Sequence, residues 1–145
     1  MTPDGSLIHE ITPEALEEIL VAAGYTVEQR QGGTIVAVSP EQRPMVFAVI
    51  GCVGQVCIWM RARAFVQVPD DVVGGALLEA YDSTVPPAMA MLVGEEGQRL
   101  LVLGRDVYLA PGVTPTNLLA NIAAVETMTA NAEKAVAAMG EGSSQ

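Results

Sequence analysis

From Pro44 to Met60 the chain reads PMVFAVIGCVGQVCIWM, 17 residues without a charge. Water excludes such a stretch, and few structures can bury it. A membrane helix needs about 20 apolar residues. This run is shorter, rich in β-branched residues and interrupted by GCVGQ. Branching at Cβ favours the extended chain, so the segment is expected to form two buried strands with a turn between Gly51 and Gly54. With a two-residue turn at Val53 and Gly54, Cys52 faces Gln55 rather than Cys57. The two cysteines are then expected to be buried free thiols rather than a disulfide.

The flanking sequence supplies what covers such strands. At ITPEALEEILVAAG, Thr12 can cap the free N–H groups of a helix. Pro13 suits its first turn, because it has no N–H to leave unsatisfied. Ile11 and Leu16 are spaced for a hydrophobic staple. Leu16, Ile19, Leu20 and Ala23 share one face, Glu14, Glu17 and Glu18 complement the helix dipole, and Gly24 ends the helix. VTPTNLLANI repeats the device with Val113, Thr114, Pro115 and Leu118. There Leu118, Ile122, Val125, Thr129, Ala132, Val136 and Met139 form a long stripe of mostly small residues. Such a stripe suits packing on the protein's own sheet, and makes a poor coiled-coil seam.

Between these helices lie runs of strand pattern: YTVEQR, TIVAVS, MVFAVI, QVCIWMRARAF, then PPAMAMLVG and QRLLVLGRDVYLA around a GEEG turn. The last two are apolar on both faces near their centres, as a sheet covered on both sides requires. A middle helix is expected over DDVVGGALLEAY, Asp70 to Tyr81. Its Gly74–Gly75 pair costs about 1 kcal/mol per residue relative to Ala, which is tolerable where another backbone comes close. That approach is either packing within the subunit or a contact between subunits, so Val73, Gly74, Gly75, Leu77 and Leu78 are candidate dimer or partner contacts. The order is α-β-β-β-β-α-β-β-α. Runs of strands rather than strict alternation predict an α+β fold with an antiparallel sheet. The expected organisation is a flexible leader over residues 1–10, one domain over 11–139 and a disordered tail over 140–145.

The chain has 145 residues, half of them hydrophobic, and seven Lys plus Arg against 17 Asp plus Glu, a net charge of −10. The few positive charges are scattered, which disfavours nucleic acid and anionic membrane surfaces. Two thiols make no disulfide scaffold, and MTPDGSLIHE has neither a basic leader nor an apolar core, so a cytoplasmic location is expected.

Residues for chemistry are sparse. His9, the one histidine, stands in the leader, where catalytic geometry cannot be held. Two cysteines without a second pair do not make a zinc site. PGVTPT opens a helix but lacks the glycines and lysine of a phosphate loop, so this junction is expected to do no more than cap its own helix. Asp106 is expected to accept backbone hydrogen bonds from the nearby turn. Arg61 and Arg63 alternate with Ala62 and Ala64, so both point to one face; they either bind an acidic group or pair with the chain's own carboxylates. No catalytic, cofactor-binding or metal-binding residue is expected.

The stretch RLLVLGRDVYLAPGVTPTNLLANIAAV resembles the YbjN family of proposed bacterial sensory transduction regulators. ITPEALEEILVAAGYTVEQ is similar to that family's opening helix and first strand, and MAMLVGEEGQRLLVL to its second strand pair. Many members carry an Asn-Trp-Asn-like segment before the middle helix, where this chain has VQVPDDVVGG. The resemblance implies an α+β fold similar to type III secretion chaperones, which are small, acidic, usually dimeric proteins that hold an extended partner segment. It also implies no enzymatic activity. The expected function is thus a non-catalytic, chaperone-like or regulatory interaction module, a homodimer that binds a partner polypeptide through apolar surface. The competing expectation is a small-molecule binder or enzyme with a pocket between sheet and helices.

Overall fold

The structure, a computed structural model of the chain, describes residues 7–54, 56–69, 88–95 and 97–143. The first helix, α1, spans Pro13–Ala22. The hydroxyl of Thr12 accepts from the Ala15 N–H at 3.2 Å, and Ile11 and Leu16 are both buried, as the staple requires. The chain leaves α1 through Gly24, whose φ of +96° is open to glycine at little cost. Four strands follow: β1 (Thr26–Gln31), β2 (Thr34–Val38), β3 (Pro44–Val53) and β4 (Val56–Gln67). Then come β5 (Ala88–Val93) and β6 (Leu100–Tyr108), and a long helix, α2, over Pro115–Ser143. The middle helix expected over Asp70–Tyr81 lies outside the described residues, and with it Val73, Gly74, Gly75, Leu77 and Leu78.

The strands form one antiparallel sheet in the order β1-β2-β3-β4-β6-β5. Register decides which residues meet the helices, because side chains alternate between faces. Ile35 stands opposite Phe47 and Ala37 opposite Met45. Met45 in turn faces Ala64, Phe47 faces Ala62, and Val49 faces Met60. These residues are buried in one cluster with Leu16 and Leu20 of α1 and Leu118, Ile122 and Val125 of α2. A second cluster joins Val66, Leu101 and Leu103 to Met128, Ala132 and Val136. Both helices therefore cover the same face. The stripe expected on α2 packs on the protein's own sheet, and its one polar member with a described side chain, Thr129, donates to the Val125 carbonyl at 2.7 Å. Tyr25 closes the core beyond α1, its ring set edge-on to Phe47 with centroids 5.8 Å apart. Burial, reinforced by the charge of Glu126, pushes its phenol up to about 12.

Three expectations are corrected. The cysteines are joined, Cys52 to Cys57. Val53 pairs with Val56 and Cys52 with Cys57, so the turn lies one residue further along than the sequence reading placed it. The leader is not loose from Ile8 onward. Ile8 exchanges both backbone hydrogen bonds with Val113, at 2.7 and 2.9 Å, and Ile11 does the same with Cys57, at 2.7 and 2.8 Å. Ile8 is 2% exposed. The tail expected from residue 140 is helical through Ser143. The PGVTPT junction does cap α2, since the Thr114 hydroxyl accepts from the Asn117 N–H at 3.0 Å. It also receives the leader: His9 Nδ1 lies 2.8 Å from the Ala110 carbonyl. A Cβ on Gly112 would come within 2.9 Å of Leu7 and 3.0 Å of His9.

Phe47 and Val53 share one strand but not one environment, being 0% and 88% exposed. Phe47→Ala is expected to lower unfolding stability by about 3–5 kcal/mol. Val53→Ala should stay within about 0.5 kcal/mol. Urea denaturation of the two variants beside the wild type checks both values.

Candidate functional site

The alternation that buries Met60, Ala62 and Ala64 turns Trp59, Arg61, Arg63 and Phe65 to the other face of the sheet. Register sets them against β6: Trp59 opposite Tyr108, Arg61 opposite Asp106, Arg63 opposite Gly104 and Phe65 opposite Val102. Among the described residues no helix covers this face. The second cover expected from the two-sided apolar pattern of β5 and β6 is therefore not found among them. Asp106 organises the centre. Its carboxylate takes two hydrogen bonds from Arg61, Nε at 3.0 Å and Nη2 at 3.1 Å. It takes a third from Nη1 of Arg63 at 3.1 Å. The same Nη1 donates to the Ala62 carbonyl at 3.0 Å. The planar guanidinium fork matches a carboxylate in this way, whereas a lysine would not.

Gly104 makes room for the arrangement. A Cβ there would meet the Arg63 guanidinium, with Arg63 Cδ at 2.5 Å and the Ala62 carbonyl oxygen at 2.6 Å. The missing side chain lets Arg63 lie flat across β6, where it is mostly buried while Arg61 stays half exposed. Hydrogen bonding from Arg61 holds the Asp106 carboxyl below its usual range, opposed by partial burial and helped by the charge of Arg63. The bond to Asp106 raises the Arg61 pKa. Burial lowers that of Arg63 against the pull of Asp106.

Apolar surface flanks the ions. The rings of Trp59 and Tyr108 are tilted 34° with centroids 4.7 Å apart. Phe65, Met91, Val93 and Tyr108 are all exposed, and Met91 faces Val102 across the β5–β6 ladder. Of the two readings of Arg61 and Arg63, pairing with an internal carboxylate is the one found. The reading of Asp106 as an acceptor for its local turn is replaced by this pairing. The aromatic flank was missed. The signal was WMRARAF, in which Trp59 and Phe65 continue the alternation already seen at Arg61 and Arg63.

A separate apolar recess of about 540 Å³ lies between α1, the leader and the start of α2, lined among others by Ile8, Ile11, Ala15, Ile19, Val56 and Leu119. Among the described residues no group of three or more His, Cys, Asp or Glu is placed to hold a metal ion. Among them too, no helix is long and apolar enough to cross a membrane.

Among the described residues, fold and face together define a class of protein, an antiparallel sheet with helices on one side and an ion-centred, partly aromatic face on the other. The chain belongs to the YbjN family, described as "Putative bacterial sensory transduction regulator", whose pattern matches residues 12–138. A crystal structure of YbjN from E. coli, described as "a putative transcription regulator", is similar over 88% of this chain and 92% of its own. Sequence identity is 15% and the TM-score 0.67, a likeness that shows the shared α+β fold. No curated protein matches the chain.

Asp106→Asn is expected to lower stability at neutral pH by about 1–2 kcal/mol, because it leaves two guanidinium groups facing each other. The folded-state pKa of Asp106 is depressed, so its contribution is complete above the ordinary value of 3.8 and is lost as pH falls through the lower folded value. The gap between wild type and variant should therefore be constant near neutrality and close on acidification below about pH 4. Urea unfolding at a series of pH values measures it.

Proposed function

We propose that the protein is a non-catalytic, cytoplasmic regulatory module that binds a partner polypeptide on the open face of its sheet. The observation that carries this reading is the face itself. A row of aromatic and methionine side chains stands exposed around a fixed Arg–Asp–Arg centre. Aromatic residues and arginine are the side chains from which interfaces draw most of their energy. The ions are already paired, so a partner meets rigid hydrogen-bonding edges rather than a free charge that must be desolvated. Membership of a family described in regulatory terms supports the reading. A second copy of the chain is a partner of the same class, and a homodimer is part of the proposal. Light scattering at rising concentration is expected to show the dimer, and a strict monomer would contradict that part.

A second reading has its own observation, the apolar recess beside α1, whose volume falls within the about 300–1,000 Å³ typical of small-molecule sites. One experiment separates the two. Tagged wild type and the double variant Phe65→Lys, Met91→Lys are recovered from native lysate and analysed by native mass spectrometry. Both substitutions lie at exposed positions, so the fold should survive, which circular dichroism checks. The proposal expects a stoichiometric polypeptide on the wild type, reduced at least about tenfold on the variant. A polypeptide retained equally by both, or a bound small molecule in place of any polypeptide, would contradict it.

A further inference from the structure

We propose that Cys52 and Cys57 form a thiol-exchange site, at which a small thiol adds to Cys52 and releases Cys57. This goes beyond the interaction reading and does not rest on it. The backbone N–H and carbonyl of Cys57 are both engaged by Ile11. Cys52 and Cys57 therefore face each other at a non-hydrogen-bonded rung, where paired side chains approach most closely, and their Cα atoms are 3.9 Å apart. Cys57 is 1% exposed and belongs to the core cluster. Cys52 is exposed. Cys52 is therefore the residue that an incoming nucleophile meets from solvent. Thiol–disulfide exchange depends on which sulfur is accessible, and exposed bridges are the labile ones.

The bridge also opens onto a place for the reagent. A recess of about 440 Å³ is lined by both cysteines, Gly33, Val49, Glu14 and Arg30. Arg30 and Glu14 form an ion pair at 2.8 Å. Arg30 is also held by Glu17 at 2.9 Å, so the ion cluster beside the recess is net negative and suits a thiol that carries an ammonium group. Gly32 and Gly54 also line the recess, and the space where either would carry a side chain is open.

In the first step the thiolate attacks Sγ of Cys52. A sulfur–sulfur bond forms between the reagent and Cys52, and the Cys52–Cys57 bond breaks. Its electron pair passes to Sγ of Cys57, which takes a proton from water. The released thiol of Cys57 lies in the core cluster, away from solvent. A second molecule of thiol attacks the reagent's sulfur, leaving the reduced pair and the oxidised dimer of the reagent. The sum is a two-electron reduction of the protein bridge by two thiols.

The test uses the wild-type protein purified without reductant and reduced glutathione as the probe. After incubation under native conditions the reaction is quenched with acid, and the adduct is located by peptide mass mapping. Glutathione is expected on Cys52 in at least about tenfold excess over Cys57. Two variants provide an independent readout with a coloured aromatic disulfide. The thiol of Cys57→Ser should react in the folded protein, and that of Cys52→Ser should react about 100-fold faster in denaturant than in buffer. Glutathione found mainly on Cys57, or a bridge that resists reduction until the protein is unfolded, would overturn the proposal.

Discussion

The packing of α2 on β4 and β6 gives the sheet its two faces, and the other features follow from it. Leu118, Ile122 and Val125 are fully buried against a patch that includes Met60, Ala62 and Ala64. Alanine in the middle of β4 lets the helix come close, and close approach is where dispersion and burial add up. Because strand side chains alternate, this contact also decides where Trp59, Arg61, Arg63 and Phe65 point. A slip of one residue would drive two arginines into the core and expose two alanines, at a cost of several kcal/mol per uncompensated charge. The ion cluster and the hydrophobic core thus enforce the same register from opposite sides.

The second face is ordered, and no helix among the described residues covers it. Asp106 fixes Arg61 and Arg63, Gly104 gives Arg63 its berth, and the stack of Trp59 on Tyr108 holds one end. A face whose side chains are already placed loses less freedom when a partner arrives, which is the physical benefit of preorganisation. The family's description in regulatory terms is consistent with the use proposed for this face.

Much of this was legible in the sequence, for local reasons. Thr12–Pro13 and Thr114–Pro115 announce their helices within four residues. The α2 stripe announces its buried face, and period two marks the strands. What escaped depends on pairing between distant parts of the chain. Arg61 and Asp106 are 45 positions apart and meet only because β4 and β6 are neighbours in a defined register. The β3–β4 turn was misplaced by a single residue. In a hairpin that error moves every partner, and it concealed the Cys52–Cys57 bridge. Ile8 read as part of a flexible leader because its partner, Val113, lies more than 100 positions further along the sequence.

Trp59 is the chain's one tryptophan and stands on the face in question, so its fluorescence reports on that face alone. Acrylamide quenching of the free, folded protein is the most direct measurement. An uncovered face predicts an indole that the quencher reaches, less readily than in the unfolded chain because Tyr108 shields one side, and more readily in Tyr108→Ala. An indole indifferent to acrylamide in the free protein would mean that the sheet is covered on both sides, and the account of an open binding face would be wrong.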